Sequence, residues 1–236
     1  MGILLVHGAW HGAWCWGPVL ADLESRRIEA LAIDLPGHGA RSATTDPIRL
    51  ADYAAAVIEA GRSMSAPPVL VGHSMGGMVI SAAAEGDPGA FKSLIYLAAF
   101  LPRTGEALAT LAAQDGRVNG RLEGDKIVLE SEEARRLFYQ DCPSELVDWA
   151  LSKIQPQPIS PALDPLELTP ERWGRLRRDY IVCSNDQAIR PEFQRSMAAR
   201  ANCESIIELE CGHSPFLACP AELCSILARG AAPGQG

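Results

Sequence analysis

The sequence predicts an α/β protein: a doubly wound, mostly parallel six-stranded sheet with an inserted helical cap. Short runs rich in leucine and β-branched residues alternate with longer helix-like stretches, which is the pattern of a parallel sheet covered on both faces. A chain of 236 residues is long enough for one sizeable core. The alternation breaks once, between about residues 104 and 173, and then resumes.

Six segments have the length and composition of buried strands, and they are residues 3–6, 28–33, 69–71, 93–98, 180–183 and 205–209. Helices are expected between them, at residues 18–26, 50–62, 75–85, 191–200 and 220–229. Several of these stretches begin with a proline, which suits the first turn of a helix. Strands and helices in this order predict the doubly wound arrangement.

The interruption at residues 104–173 is too long for a plain loop. Its best helices are residues 132–140 and 144–154, and a proline-rich stretch follows them. We expect a helical cap over the carboxyl ends of the strands, where open α/β sheets bind ligands. The chain then divides into a first core part, the cap, a second core part and a flexible tail, at residues 1–103, 104–173, 174–229 and 230–236.

The composition excludes several classes of protein. With 47% hydrophobic and 21% charged residues, the chain is expected to fold as a globular protein. No apolar run approaches the roughly 20 residues that span a bilayer. The first residues lack the basic region and cleavage site of a signal peptide, so we expect a cytoplasmic protein with no membrane contact. The net charge of −8, without a basic cluster to offset it, disfavours nucleic acid as a partner.

The cysteines and histidines do not predict a metal site. Seven cysteines occur without a CxxC pair or zinc-type spacing, and we expect them to be reduced. His7 and His11 have the spacing of a helical metal pair, but Gly8 and Gly12 indicate a loop. The sequence therefore predicts neither a metal nor another cofactor.

The strongest chemical motif is the G-x-S-x-G string from Gly72 to Gly76. It follows an apolar strand and opens a helix, so Ser74 would lie on a sharp turn between the two. Such a turn needs glycines because a Cβ atom would collide with the neighbouring strand and helix. We predict that Ser74 is a nucleophile; the alternative is a glycine-rich turn with an incidental serine.

A serine nucleophile needs a general base and an acid that orients it. On such a strand-to-helix turn the order along the chain is serine, acid, histidine. His213 is the one histidine of the sequence that follows Ser74, and it lies just past a predicted strand. Asp186 also lies just past a strand, whereas Asp179 precedes that strand and Asp164 lies in the cap. We therefore predict His213 as the base and Asp186 as the acid.

The reaction also needs two backbone N–H groups where negative charge develops. One is expected from Met75, the residue after the nucleophile. The other is expected from Ala9, in the loop after the first strand, where Gly8 permits close approach of a substrate. Residues 34–39 are expected to form a structural turn at the rim.

Taken together, these motifs resemble the α/β-hydrolase superfamily: His7-Gly8, residues 34–39, Gly72 to Gly76, Asp186 and His213. Finer matches resemble the branch with plant methylesterases and hydroxynitrile lyases, namely Val6-His7-Gly8-Ala9, Leu97-Ala98-Ala99-Phe100-Leu101-Pro102, and Tyr180-Ile181-Val182-Cys183 with Asp186. The likeness covers nearly the whole chain and is weakest in the cap. Residues 34–39 depart from this branch and are closer to bacterial esterases. The resemblance implies the α/β-hydrolase fold.

The same resemblance indicates the reaction. Lyases of this branch carry a threonine where this chain has Gly8, and a lysine after the catalytic histidine, where it has Ser214. The chain therefore resembles the esterases, in which Ser74 would attack an ester carbonyl and form an acyl-enzyme. Dehalogenases and epoxide hydrolases of the superfamily carry aspartate at the position of Ser74, so we do not expect either of these activities. Hydroxynitrile lyase, thioesterase and lactonase activity remain alternatives, as does a non-enzymatic ligand receptor.

The expected substrate is a small-molecule carboxylic ester with an apolar acyl part. Seven residues are candidates for its pocket: Gly8, Trp10, Phe100, Leu101, Phe138, Trp149 and Phe216. The catalytic candidates all lie outside residues 104–173, so we expect the cap to set substrate choice and to leave the chemistry alone. A homodimer is an assembly that the sequence leaves open.

Overall fold

The computed structural model describes residues 2–43, 47–117 and 120–231. Its strands, in chain order, are β1 (Ile3–Val6), β2 (Ala30–Ile33), β3 (Val69–His73), β4 (Ser93–Leu97), β5 (Arg121–Glu123), β6 (Lys126–Val128), β7 (Gln157–Pro158), β8 (Arg177–Cys183) and β9 (Ser205–Leu209). The α-helices are α1 (Gly17–Ser25), α2 (Leu50–Ser63), α3 (Gly76–Gly86), α4 (Leu108–Asp115), α5 (Ser131–Phe138), α6 (Ser144–Leu151), α7 (Ser160–Leu163), α8 (Pro191–Arg200), α9 (Pro215–Ala218) and α10 (Pro220–Ala231).

Six strands form one sheet in the order β2-β1-β3-β4-β8-β9, and every pair of neighbours is parallel. The predicted fold class is confirmed. Because β1 lies between β2 and β3, the chain moves outward to β2 and then returns to the other side of β1. The carboxyl ends of β1 and β3 meet at this reversal, which is where open α/β sheets place their ligand sites.

Strands β1, β3 and β4 are buried on both faces, and this explains why they are mostly apolar runs, whereas the edge strand β9 exposes Ile206 and Glu208. Successive side chains of a strand point to opposite faces. Leu4 and Val6 of β1 pack with α2 and α3 residues on one face. Ile3 and Leu5 pack on the other, against the cluster that contains Trp16 of the turn before α1. The sheet is therefore a rigid platform that fixes the positions of its loops.

The six predicted strands and five core helices all occur, with ends that differ by up to three residues. The prediction omitted α4, α7 and α9. The predicted tail starts too early, because α10 continues to Ala231; residues 232–236 lie outside the described residues.

The cap segment, residues 104–173, is not purely helical, which corrects the sequence expectation. It holds α4 to α7 together with a small antiparallel sheet in the order β5-β6-β7. Gly124, with φ of 60°, and Asp125 form the two-residue turn between β5 and β6. Glycine followed by aspartate between two short runs is typical of a hairpin, which the expectation of a purely helical cap did not include.

Of the helices described in these three ranges, none is long and apolar enough to cross a membrane.

Candidate active site

The turn after β3 gives Ser74 an unusual backbone conformation. Its φ is 54°, in the left-handed region that costs a non-glycine residue about 1 to 3 kcal/mol. The glycines on both sides permit the tight approach of α3. A Cβ atom on Gly72 would lie 2.6 Å from the carbonyl oxygen of Gly76, and one on Gly76 would lie 2.9 Å from the carbonyl oxygens of Val6 and His7. The packing around the turn therefore maintains the strain at Ser74.

The candidate base and acid form a buried pair. His213 Nδ1 lies 2.7 Å from Asp186 Oδ2, and both side chains are about 1% exposed or less. A carboxylate only accepts hydrogen bonds, so Nδ1 carries the hydrogen and Nε2 is the nitrogen that is free to take up a proton. The His213 ring stacks on Phe138 at 5.3 Å, and Phe138 lines the same cavity as Ser74.

Three further donors hold the Asp186 carboxylate. Oδ1 accepts from the backbone N–H groups of Ala188 and Ile189, at 2.7 and 3.0 Å. Oδ2 also accepts from Gln194 Nε2 at 2.8 Å. The carboxylate is fixed on the carboxyl side of β8, so it can orient the imidazole without moving.

The Ser74 hydroxyl forms no hydrogen bond within the part of the chain that the structure describes. It lies in the wall of a cavity, where a substrate can reach it. Nucleophile and base commonly come into full contact only in the substrate complex.

His73 connects the serine turn to the loop of the base. Its Nε2 lies 2.8 Å from the carbonyl oxygen of His213, so this nitrogen donates. Burial lowers the pKa of His73 well below its ordinary value, and the neighbouring His213 lowers it further. The ring is therefore neutral and holds the loop of the base against the end of β3.

Two backbone N–H groups are available to an oxyanion. In the described residues, neither Ala9 N–H nor Met75 N–H has a hydrogen-bond acceptor, and both residues line the cavity. His7 determines the direction of the Ala9 N–H. Leu35 N–H donates to His7 Nε2 at 3.1 Å, so His7 Nδ1 carries the hydrogen and donates to the Gly8 carbonyl at 2.8 Å. In a trans peptide the C=O and the following N–H point in opposite directions, so Ala9 N–H points away from His7.

The cavity above Ser74 has a volume of about 270 Å³. Its lining is almost entirely apolar, and among the described residues that line it Arg117 alone carries a charge. The lining residues are Ala9, Trp10, Ser74, Met75, Phe100, Leu108, Ala109, Ala112, Arg117, Ile127, Phe138, Ile159, Ala162, Leu163, Ala188 and Ile189.

The structure divides the seven residues predicted for the pocket. Trp10, Phe100 and Phe138 line the cavity. Gly8 is not among the lining residues and lies beside Ser74, where a Cβ atom would be 2.8 Å from the Cβ of Ser74.

The other three predicted pocket residues lie outside the lining, which corrects the expectation. Leu101 is fully buried, and its N–H contacts the sulfur of Met197. Phe216 is packed under His73, with ring centroids 5.0 Å apart. Trp149 is 39% exposed and packs on Trp14. The sequence shows that these side chains are apolar but not which way they point.

The remaining histidines around the site are also neutral. Burial lowers the pKa of His7 well below its ordinary value and that of His11 to about 4. The pKa of His38 is lowered too, with burial as the largest cause.

In the described ranges no group of three histidine, cysteine, aspartate or glutamate side chains is placed to hold a metal ion.

Residues 3–226 match the alpha/beta hydrolase family. The chain belongs to that family. Two plant relatives resemble this hydrolase along nearly its whole length. Methylesterase 7 of Arabidopsis thaliana is 30% identical to it over 248 residues, which cover 95% of this hydrolase and 94% of the relative. Salicylic acid-binding protein 2 of Nicotiana tabacum is 32% identical, with the same coverage.

A solved bacterial structure also resembles this hydrolase. It is a pyrethroid hydrolase from Sphingobium faniae JZ-2, with a TM-score of 0.86 and 25% identity, covering 100% of this hydrolase and 99% of that chain. The predicted resemblance to plant methylesterases within the superfamily is confirmed.

Proposed function

We propose that this hydrolase cleaves carboxylic esters of small, largely apolar substrates through an acyl-enzyme. The observation that carries the proposal is the buried pair of His213 and Asp186, 2.7 Å apart, stacked on a wall of the apolar cavity into which the strained Ser74 opens. Ser74 acts as nucleophile, His213 as base and Asp186 as the group that orients the base.

In the first half of the reaction, Ser74 Oγ attacks the ester carbonyl carbon and His213 Nε2 takes the hydroxyl proton. Asp186 stabilises the resulting imidazolium. The N–H groups of Ala9 and Met75 bind the oxyanion. The tetrahedral intermediate then expels the alkoxide, which receives the proton from His213 and leaves as the alcohol. Water attacks the acyl-enzyme in the same way and releases the acid.

The cavity limits the substrate. At about 270 Å³ it lies below the roughly 300 Å³ at which cavities for drug-sized ligands begin. Its apolar walls favour an uncharged, apolar acyl group. The name of the relative methylesterase 7 supports a small alcohol as the leaving group.

A lyase reaction has less support. The threonine that the lyases carry would fall at Gly8, where a Cβ atom lies 2.8 Å from Ser74 Cβ and 3.0 Å from His73 Nδ1. The lysine that follows their histidine is replaced by the buried Ser214. A cyanohydrin is therefore expected to be a poor substrate.

The test of the function is the Ser74→Ala variant with p-nitrophenyl acetate and butyrate. We expect kcat to fall at least about 10⁴-fold, because the reaction then lacks its nucleophile. Ser63→Ala, an exposed serine on α2, is the matched control and should retain the wild-type rate. A Ser74→Ala protein with most of the wild-type kcat would contradict the assignment.

The second candidate is a ligand receptor on the same fold. It is favoured by the name of one relative, salicylic acid-binding protein 2. Turnover separates the two. An enzyme completes many cycles of hydrolysis on a methyl ester or on a matched thioester or lactone. A receptor hydrolyses about one molecule, keeps the carboxylic acid product bound and then stops.

A further inference from the structure

Trp10 has a backbone conformation that its own side chain disfavours. Its φ is 63°, in the left-handed region that bulky residues seldom adopt. It directly follows Ala9, whose N–H is a proposed oxyanion donor. Something outside the loop must therefore hold Trp10 in this conformation.

The hydrogen bonds that hold Trp10 come from the cap segment. Gln155 N–H donates to the Trp10 carbonyl at 2.9 Å, and Trp10 Nε1–H donates to the Ile127 carbonyl at 2.9 Å. Trp10 N–H donates to Gln157 Oε1 at a longer 3.4 Å. We call these three cap residues, 127, 155 and 157, the cap clamp.

The surroundings of Gln157 fix the orientation of its amide. Trp10 N–H is a donor, so the amide atom that faces it is the oxygen. This oxygen also lies 2.8 Å from His38 Nε2. Nε2 of Gln157 donates to the Pro158 carbonyl at 2.9 Å and to Tyr53 Oη at 3.3 Å. Gln157 is about 1% exposed, and both atoms of its amide are paired.

The peptides on both sides of Ala9 are fixed by these contacts. The peptide before Ala9 is fixed by a core residue, because His7 Nδ1–H donates to the Gly8 carbonyl. The peptide after it is held at the carbonyl end by His11 Nδ1–H, 2.8 Å from Ala9 O, and at its N–H end by Gln157. His11 in turn accepts a hydrogen bond from Tyr139 of the cap segment at 2.7 Å. Ala9 N–H can turn only if one of these contacts breaks.

We infer that the cap clamp is a positioning device for the oxyanion donor, with Gln157 as its central residue. This inference rests on the proposed function. It replaces the expectation that the cap leaves the chemistry alone, because a cap held in this way determines the conformation of a loop in the core. The donor is pre-organised before the substrate arrives, and such donors are worth about 100-fold to 1000-fold in kcat each.

The test compares three variants of the full chain on p-nitrophenyl butyrate. Gln157→Leu removes the acceptor of Trp10 N–H, and we expect kcat to fall about 10-fold or more while KM changes less than about threefold. Gln157→Glu keeps an acceptor for Trp10 but places an oxygen against the Pro158 carbonyl, so it should lower Tm and largely retain kcat. Tyr53→Phe removes only the partner on the far side of the amide and should retain kcat.

A second readout isolates the tetrahedral state. A trifluoromethyl ketone forms a tetrahedral adduct on the serine, whereas the corresponding methyl ketone reports ground-state binding. In Gln157→Leu, the Ki of the trifluoromethyl ketone should rise by about the factor by which kcat/KM falls, with the Ki of the methyl ketone nearly unchanged. Equal increases in both, or a raised KM with wild-type kcat, would mean that Gln157 only shapes the pocket and would overturn the inference.

If Gln157→Leu does not fold, position 155 provides an independent pair. Gln155→Pro deletes the N–H that reaches the Trp10 carbonyl, and Gln155→Ala keeps it; both lose the side-chain contact with Gly39 N–H. The proline variant should have the lower kcat, and equal kcat values would contradict the inference. The failure of the proposed function is distinguishable from the failure of this inference. An active Ser74→Ala protein refutes the proposed function. An inactive Ser74→Ala protein together with a fully active Gln157→Leu protein refutes only the cap clamp.

Discussion

At the scale of single residues, Gly8 and Ser74 share a space that holds only one side chain. A Cβ atom on Gly8 would lie 2.8 Å from Ser74 Cβ, closer than real Cβ contacts. The loop that carries Ala9 can approach the serine turn because residue 8 has no side chain. The distance between the proposed nucleophile and its oxyanion donor therefore depends on this glycine.

We predict that Gly8→Ala lowers kcat by at least about 10-fold, since the added methyl group pushes the Ala9 loop away from Ser74. The same overpacking should lower the free energy of unfolding by about 1 to 3 kcal/mol. Gly17→Ala in α1 is the matched control, because its Cβ meets nothing within 4 Å. It should leave kcat unchanged and leave stability equal or slightly higher. A Gly8→Ala enzyme with wild-type kcat and stability would contradict the packing argument.

The site residues that could be predicted from the sequence are those whose local backbone structure requires a recognisable motif. Ser74 stands out because its turn needs glycines two residues away on each side, and Asp186 and His213 because each follows a recognisable strand. Gln157 leaves no such signal. Its partner Trp10 is 147 positions away in the sequence, and its neighbours are prolines that suggest only irregular chain. Contacts of this kind depend on how the cap docks on the core, which no local pattern encodes.

At the scale of elements, the cavity is a junction between the core and four pieces of the cap segment. Its floor is the loop after β1 and the turn after β3. Its walls come from α4, β6, the end of α5, and α7 with the residue before it. The sequence does not predict α7 because four residues are too short for a periodic pattern. It does not predict α4 because five of that helix's eight residues are alanine or leucine, which leaves little contrast between an apolar and a polar face. Substrate size should therefore depend on α4 and α7.

We predict opposite effects from two substitutions on α4. Ala112→Leu reduces the cavity and should shift kcat/KM toward acetyl esters, whereas Leu108→Ala enlarges it and should favour hexanoyl esters. Pocket contacts of one group are worth about 1 to 3 kcal/mol, or roughly 10-fold to 200-fold in the ratio. Trp149→Ala is the control because Trp149 lies outside the lining. The ratio of kcat/KM for p-nitrophenyl acetate and hexanoate measures the effect, and a Trp149→Ala enzyme that shifts it as strongly would contradict this view of the cavity.

At the scale of the whole molecule, neutral histidines join the core to the cap. His7 holds the loop after β1, and His73 holds the loop of the base. His11 and His38 each reach a cap side chain, Tyr139 and Gln157. His7, His73 and His38 make these contacts through a ring nitrogen that carries a hydrogen, whereas His11 Nε2 accepts from Tyr139 and its Nδ1–H donates to the Ala9 carbonyl. These four imidazole rings are therefore uncharged in the folded protein.

This arrangement predicts that stability falls between pH 7.5 and 5.5. In the unfolded chain the histidines take up protons near pH 6.5, whereas burial keeps the pKa of His7 and His73 well below this value and that of His11 at about 4. The unfolded state then binds more protons, so the free energy of unfolding falls as the pH falls through this window. Each of the three histidines contributes about 1.3 kcal/mol, or about 4 kcal/mol together. Carboxylates with lowered pKa lose their stabilising effect only below about pH 4.5, outside this window.

Urea unfolding at pH 7.5, 6.5 and 5.5 measures this change. The His11→Gln variant should be less stable than the wild type at pH 7.5, because it lacks a ring between Ala9 and Tyr139, but its stability should change by about one third less between pH 7.5 and 5.5. A wild-type stability that is flat across this range would mean that the histidines are protonated in the folded state. The tautomers assigned to His7 and His11, and with them the direction of the Ala9 N–H, would then be wrong.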